Sequence, residues 1–147
     1  MDLKALYHEV LADHSRYPGH FGRLEDASLT KEGVNPSCGD DYTLELKLSP
    51  EGSITDGAFT GEGCAISKAS LDMMLDLVIG KTAEEALSLD DLFRRMLRGE
   101  TKEGETDRLE EAAMLESVSH LPARTACALL GWNTLRRMLE ERKHTNQ

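Results

Sequence analysis

The stretch YTLELKLSPEGSITDGAFTG, residues 42–61, decides the fold. Tyr42, Leu44, Leu46 and Leu48 alternate with Thr43, Glu45 and Lys47, the period-two signature of a strand with one buried face. Ser49-Pro50-Glu51-Gly52-Ser53 is turn chemistry, and Ile54 to Gly61 reads as the returning strand, with a bulge expected at Asp56-Gly57. If Leu48 pairs with Ile54, then Tyr42 faces Thr60, and extrapolation sets Cys38 opposite Cys64. Antiparallel partners lie about 4.5–5.5 Å apart at Cα. Two cysteines distant in sequence therefore meet at one end of the sheet, with Asp40 beside them, and a bulge shifts this by only one position.

Beyond the hairpin the period becomes helical. Ile66, Ser70, Met73, Met74 and Leu77 share a face, and Gly80 is placed at C′ to end that helix. Cys64 stands directly before it, where unpaired N–H groups and the positive dipole end favour a thiolate. Gly61 and Gly63 flank the cysteine and supply open backbone, as Gly39 does between Cys38 and Asp40.

On the amino-terminal side, Leu3, Leu6, Tyr7, Val10 and Leu11 predict an amphipathic helix over 3–16, stopped by Pro18-Gly19. Residues 20–35 are irregular, with one edge strand expected at 27–30. On the carboxy-terminal side, Thr82 and Ser88 read as two helix starts, each with an acid three residues later, the second running to Gly99. Residues 99–107 read as loop, and Asp107 is expected to cap a helix carrying Leu109, Ala113, Leu115 and Val118. Pro122 opens the last helix, whose apolar face holds Ala123, Ala126, Cys127, Leu130, Thr134 and Met138. The polar tail ERKHTNQ, 141–147, is expected to fray.

At 147 residues the chain fits one domain, 1–147, that buries a core without cross-links. The three cysteines, Cys38, Cys64 and Cys127, are odd in number and widely separated, and the first residues lack a signal-peptide pattern. Both features predict a reducing cytoplasm with free thiols or metal ligands. No apolar run is long enough to cross a bilayer. The net charge of -10 and pI near 4.9 oppose phosphate-directed binding to nucleic acid.

Three thiolates and one carboxylate, Cys38, Cys64, Cys127 and Asp40, form a plausible tetrahedral set for zinc or a set of iron ligands. Pairing arithmetic does not reach Cys127, which joins the set as the remaining thiol. Such a site is anionic, and Arg124, one turn before Cys127, is the nearby cation. Taken singly, Cys127 reads as a small core residue and Asp40 as a turn former. Met73, Met74 and Met96 read as core filling, His120 as a surface or capping residue, and His8 and His14 as structural or partner-facing. A zinc-stabilised interaction domain is disfavoured by the absence of a Cys-x-x-Cys pair. A Cys-His hydrolase is disfavoured because no histidine shares a motif with a cysteine.

NPSCGD (35–40), GEGCAISKAS (61–70) and LPARTACALLGW (121–132) resemble the three cysteine motifs of the U-type iron-sulfur cluster assembly proteins, the IscU/SufU (NifU N-terminal-like) family. The similarity runs from LYHEVLADH (6–14) to the last helix. Two features favour the SufU branch. The gap from Cys64 to Cys127 is lengthened by an inserted segment at about 99–117, and Ala126 stands where the scaffold branch has a histidine. The resemblance implies an α+β fold, a small antiparallel sheet of about three strands packed against five to six helices. It also implies a metal site of Cys38, Asp40, Cys64 and Cys127, with Arg124 beside it. In SufU-like members the metal is zinc, and a SufS-type cysteine desulfurase delivers persulfide sulfur to the cysteine matching Cys38, lending a histidine to zinc as it does so. The sulfur then passes to downstream cluster-assembly proteins or apoproteins. The alternative is a scaffold on which the same ligands hold iron or a nascent [2Fe-2S] cluster.

Overall fold

A computed structural model describes residues 3–145, with side chains for 5–142. Its sheet has three antiparallel strands in the order β1 (Leu29–Asn35), β2 (Asp40–Leu48) and β3 (Ile54–Glu62). Leu48 pairs with Ile54 as expected, but the ladder then slips between Leu48 and Lys47, so that Lys47 faces Asp56 and Tyr42 faces Gly61 rather than Thr60. The irregularity therefore lies at Thr55, one residue before the expected Asp56-Gly57 bulge. Gly57 instead stays in register, where an added Cβ would meet Leu75 Cδ2 at 2.7 Å.

Strand β1 is longer and later than the expected 27–30, because pairing to β2 recruits a segment with little alternation of its own: Leu29 faces Leu46 and Asn35 faces Asp40. Cross-strand pairing rather than local propensity makes this strand. Residues 36–39 become the connection between β1 and β2, with Cys38 N–H donating to Asn35 O (3.2 Å), Gly39 N–H to Pro36 O (3.3 Å), and Gly39 at φ +70. Cys38 is thus a turn residue and does not extend β2 opposite Cys64.

Among the described residues five helices complete the α+β fold: α1 (Leu3–Arg16), α2 (Ala65–Val78), α3 (Ala83–Leu97), a 3-10 helix (Glu105–Val118) and α4 (Pro122–Thr145). Helix α2 ends as read, with Ile79 as C-cap and Gly80 beyond it at φ +96. Thr82 caps α3 in a reciprocal capping box with Glu85. The second start expected at Ser88 does not occur. Ser88 lies inside α3, because Leu89, Leu92, Phe93 and Met96 continue the buried stripe begun by Ala86.

The segment after Gly104 is not the Asp107-capped α-helix expected. Gly104 (φ +80) precedes it without a side-chain cap, and the backbone breaks at Glu110 (φ 51). Its buried residues are Leu109, Ala112, Leu115 and Val118, each three positions after the last. A three-residue turn keeps such a row on one side, whereas a 3.6-residue turn would rotate it away. Of the polar tail, 141–145 are helical and continue α4, and Asn146 and Gln147 lie outside the described residues.

The core sits between the sheet and helices α2 and α4, with α3 and the 3-10 helix packed beyond and α1 against α2. Tyr42, Leu44, Leu46 and Phe59 from the sheet meet Leu71, Met74, Leu75 and Leu135 from the helices, all buried. Met73, Met74 and Met96 are core filling, as read. Among the described residues no helix is long and apolar enough to cross a membrane.

Candidate metal centre

Four segments meet at one place. The β1–β2 connection brings Cys38, the start of β2 brings Asp40, the start of α2 brings Cys64, and the first turns of α4 bring Cys127. One ligand atom each of Cys38, Asp40 and Cys127 lie within 4.8 Å of one another. Cys64 stands just outside that mutual set, since its Sγ is turned to cap α2, accepting from Ser67 N–H at 3.4 Å, yet it still interacts with the Cys127 thiol. Cys38 and Cys64 are partly exposed and Cys127 is buried. All three are free thiols.

Asp40 is fully buried and held from one side. Its Oδ1 accepts from Cys64 N–H (2.9 Å) and Ser67 Oγ–H (3.0 Å). Its Oδ2 takes a long contact from Asn35 Nδ2 (3.4 Å), which also reaches Cys127 Sγ (3.7 Å), and the Cys127 thiol adjoins the same carboxylate. One carboxylate oxygen is committed to the protein and the other is available to a cation. Tyr42 Oη lies 3.0 Å from Ser67 Oγ. With the Ser67 proton given to Asp40, Tyr42 donates to Ser67, a short chain ending on the carboxylate.

Electrostatics agree with an anionic pocket. Burial pushes the Cys127 thiol well above its ordinary range, and the neighbouring Cys38, Cys64 and Asp40 push it the same way. Burial raises Tyr42 to about 12, opposed by the Ser67 hydrogen bond and reinforced by Asp40, Cys64 and Cys127. Among the described residues no lysine, arginine or histidine forms an ion pair with Asp40. A divalent cation bound to these groups reverses the local logic and deprotonates thiols outright. Donor number, softness and charge all fit such an ion.

Arg124 is exposed and has no hydrogen-bond or ion-pair partner among the described residues. It is nonetheless next to Ala123, whose carbonyl lies 3.9 Å from Cys38 Sγ. Asn35 and Ser67 were not singled out in the sequence, although both lie inside the cysteine motifs. Their signals were local: Asn35 closes a tight connection onto Asp40, and Ser67 is the third helical residue after a capping Cys64. His120 and His8 are exposed, and His14 is bonded to Asp72 (2.6 Å), away from the cysteines.

Residues 6–128 match the family described as NifU-like N terminal domain. The chain is 43% identical over 138 residues to the iron-sulfur cluster assembly scaffold protein IscU of Streptococcus pyogenes serotype M1, covering 94% of this chain and 85% of that protein. It is 40% identical over 134 residues to the zinc-dependent sulfurtransferase SufU of Bacillus subtilis, covering 91% of this chain and 89% of that one. The crystal structure of an iron-sulfur cluster assembly scaffold protein for the SUF system from Fervidobacterium islandicum AW-1 superposes with a TM-score of 0.82 at 34% identity, covering 94% of this chain and 99% of that one. With a family match across most of its length and relatives at 40% and 43% identity covered over more than four fifths of their length, the chain belongs to the NifU-like N-terminal domain family that includes the IscU and SufU proteins.

Proposed function

We propose that the chain serves iron-sulfur cluster assembly as a zinc-dependent sulfur acceptor, taking persulfide sulfur from a SufS-type cysteine desulfurase in a reducing cytoplasm. The observation that carries the reading is the placement of Cys38 in an accessible turn, within 4.8 Å of buried Asp40 and Cys127. Cys38, Asp40, Cys64 and Cys127 would hold zinc, which supplies charge that keeps thiolates deprotonated and brings no redox chemistry of its own.

The residues divide the work. Cys127 is buried and serves as a fixed donor. Asp40 is oriented by Ser67 and the Cys64 N–H, and as the single hard donor among thiolates it is the position that yields to an incoming group. Cys38, on its turn, meets the donor. Its thiolate attacks the outer sulfur of the desulfurase persulfide, the donor S–S bond breaks, the donor leaves as thiolate, and a new persulfide forms on Cys38 with no net redox change. Arg124, exposed beside this turn, offers positive charge to the approaching anionic sulfur. Residues 99–117, which form a turn and most of the 3-10 helix, are read as the branch-specific insertion.

The second reading, a scaffold for a [2Fe-2S] cluster, draws on the scaffold name of the Streptococcus relative and on the same thiols. One experiment separates them. Zinc-loaded protein is mixed with cysteine and a SufS-type desulfurase, then analysed by mass spectrometry. The expected result is the mass of one added sulfur atom on Cys38, lost in Cys38→Ala. Sulfur on another cysteine overturns the assignment of Cys38 as acceptor, and no sulfur but a stable coloured cluster built from iron and sulfide without zinc overturns the proposal in favour of the scaffold.

A further inference from the structure

A second group of donors lies about two turns along α2 from Cys64, where α1, α2 and the 3-10 helix meet. Ligand atoms of His14, Asp72 and Asp76 lie within 4.8 Å of one another. The three line a cavity of about 230 Å³ open to solvent, together with Asp13, Tyr17 and Gly19. Every ion pair that Asp72, Asp76 and Glu111 make among the described residues is with an imidazole, and none is with lysine or arginine.

The contacts point the donors inward. His14 Nε2 is 3.1 Å from Glu111 Oε2, and a ring protonated on Nε2 donates to that carboxylate. The other nitrogen, Nδ1, faces Asp72 Oδ2 at 2.6 Å. In a neutral ring with its proton on Nε2, that approach sets a lone pair against a carboxylate oxygen, which needs a positive centre beside it, either a second ring proton or a metal cation. Asp72 is itself oriented, its Oδ1 accepting from His20 N–H at 2.9 Å. His20 Nε2 bonds Asp76 Oδ1 at 2.7 Å, placing a second imidazole at the rim. An imidazole that ligates through one nitrogen and gives its other N–H to a carboxylate is the usual outer support of a protein metal site.

We propose that His14 Nδ1, Asp72 Oδ2 and Asp76 bind a divalent first-row transition cation, with His20 at the rim as the fourth donor and Glu111 as the positioning residue for His14. The cation takes the place of a second imidazole proton, which is released to solvent. The donors are nitrogen and oxygen only, so the site selects cations that accept imidazole and carboxylate without thiolate. This inference does not depend on the function proposed for the cysteine centre.

The test uses the full chain loaded with one equivalent of zinc, to which Co2+ is added while absorbance, heat and retained zinc are followed. A second equivalent is expected to bind with weak ligand-field bands and without sulfur-to-cobalt charge transfer. Asp76→Asn and Glu111→Gln, both at side chains about half exposed (49% and 53%), are expected to keep the fold by circular dichroism and to weaken this binding by about tenfold or more. The proposal is overturned if no second equivalent binds, if sulfur-to-cobalt charge transfer accounts for all bound cobalt, or if both folded variants bind it as tightly as the parent.

Discussion

Gly63 has no side chain because three others already occupy its place. A Cβ there would lie 2.5 Å from Tyr42 Oη, 2.6 Å from Asp40 Oδ1 and 2.8 Å from Ser67 Oγ. Gly63→Ala must therefore push apart the chain of hydrogen bonds that orients Asp40, at a cost of about 1–3 kcal/mol in denaturant unfolding. The same variant is expected to lower zinc retention against a competing chelator. Ser67→Ala removes the group shared by Asp40 and Tyr42 while leaving the Cβ, and an unfolding loss of about 1–3 kcal/mol is expected for the buried partners left unpaired. An unchanged stability in Ser67→Ala would remove Ser67 from the account. At this scale the sequence was informative about which side chains carry chemistry and less so about how they are held. Cys38, Asp40, Cys64 and Cys127 stand out by residue type, and Cys38, Asp40 and Cys127 do converge. The orientation of Cys64 toward Ser67 follows from cap geometry, which depends on dihedral angles that composition does not display.

The elements legible from the sequence were α1, β2, β3, α2 and α4. Those made by their neighbours were not. β1 exists because Leu46 and Leu44 accept it as a partner, and the 3-10 helix exists because a row of apolar residues at intervals of three fits against α3 and α2. Ser88 looked like a cap because a hydroxyl followed by acids is a local signal, and the buried stripe of α3 overrides it. The 3-10 helix is fastened at its start by Glu105, whose carboxylate accepts from Arg95 (2.7 Å) and from Lys102 N–H (3.0 Å). Those bonds, that of Arg95 foremost, lower Glu105 from its ordinary 4.5 to about 2. A depressed carboxylate contributes stability that is present above its unfolded value and lost as pH falls through the folded one. Glu105→Gln is therefore expected to be less stable than the parent by a constant margin above pH 4.5, with the margin closing toward pH 2, as read by urea unfolding across pH. A margin independent of pH would mean the contact does not depend on charge. Thr82→Ala, which opens the capping box of α3, should cost about 1 kcal/mol in the same assay.

Across the whole molecule the cysteine centre is a fastening between parts remote in sequence: the β1–β2 turn, the start of α2 and the start of α4. A ligand bound only by the folded state adds about 4 kcal/mol at a thousandfold excess over its Kd. If zinc is held there as proposed, stripping it with a chelator lowers the thermal midpoint and frees α4 first, seen as faster amide exchange near Cys127 than near Leu92. The overall α+β arrangement was within reach of the hairpin and its flanking periodicities, because alternating strands with one apolar face must be covered by helices that have one too. The choice of α2 as the partner of α1 was not, because beside the packing of Val10 and Leu11 it uses single polar contacts such as His14 to Asp72, where no pattern announces the partner.

Trp132, the one tryptophan of the chain, is fully buried on α4 and stacked on Phe93 of α3 with centroids 5.0 Å apart and planes at 21°. Its Nε1 has no hydrogen-bond partner among the described residues. An indole so enclosed and so dry emits at short wavelength, and it shifts to the red once water reaches it. It sits five residues beyond Cys127 on the same helix, so the protein carries its own optical gauge: intrinsic fluorescence reports directly on whether α4 stays seated as the thiols gain or lose their ion.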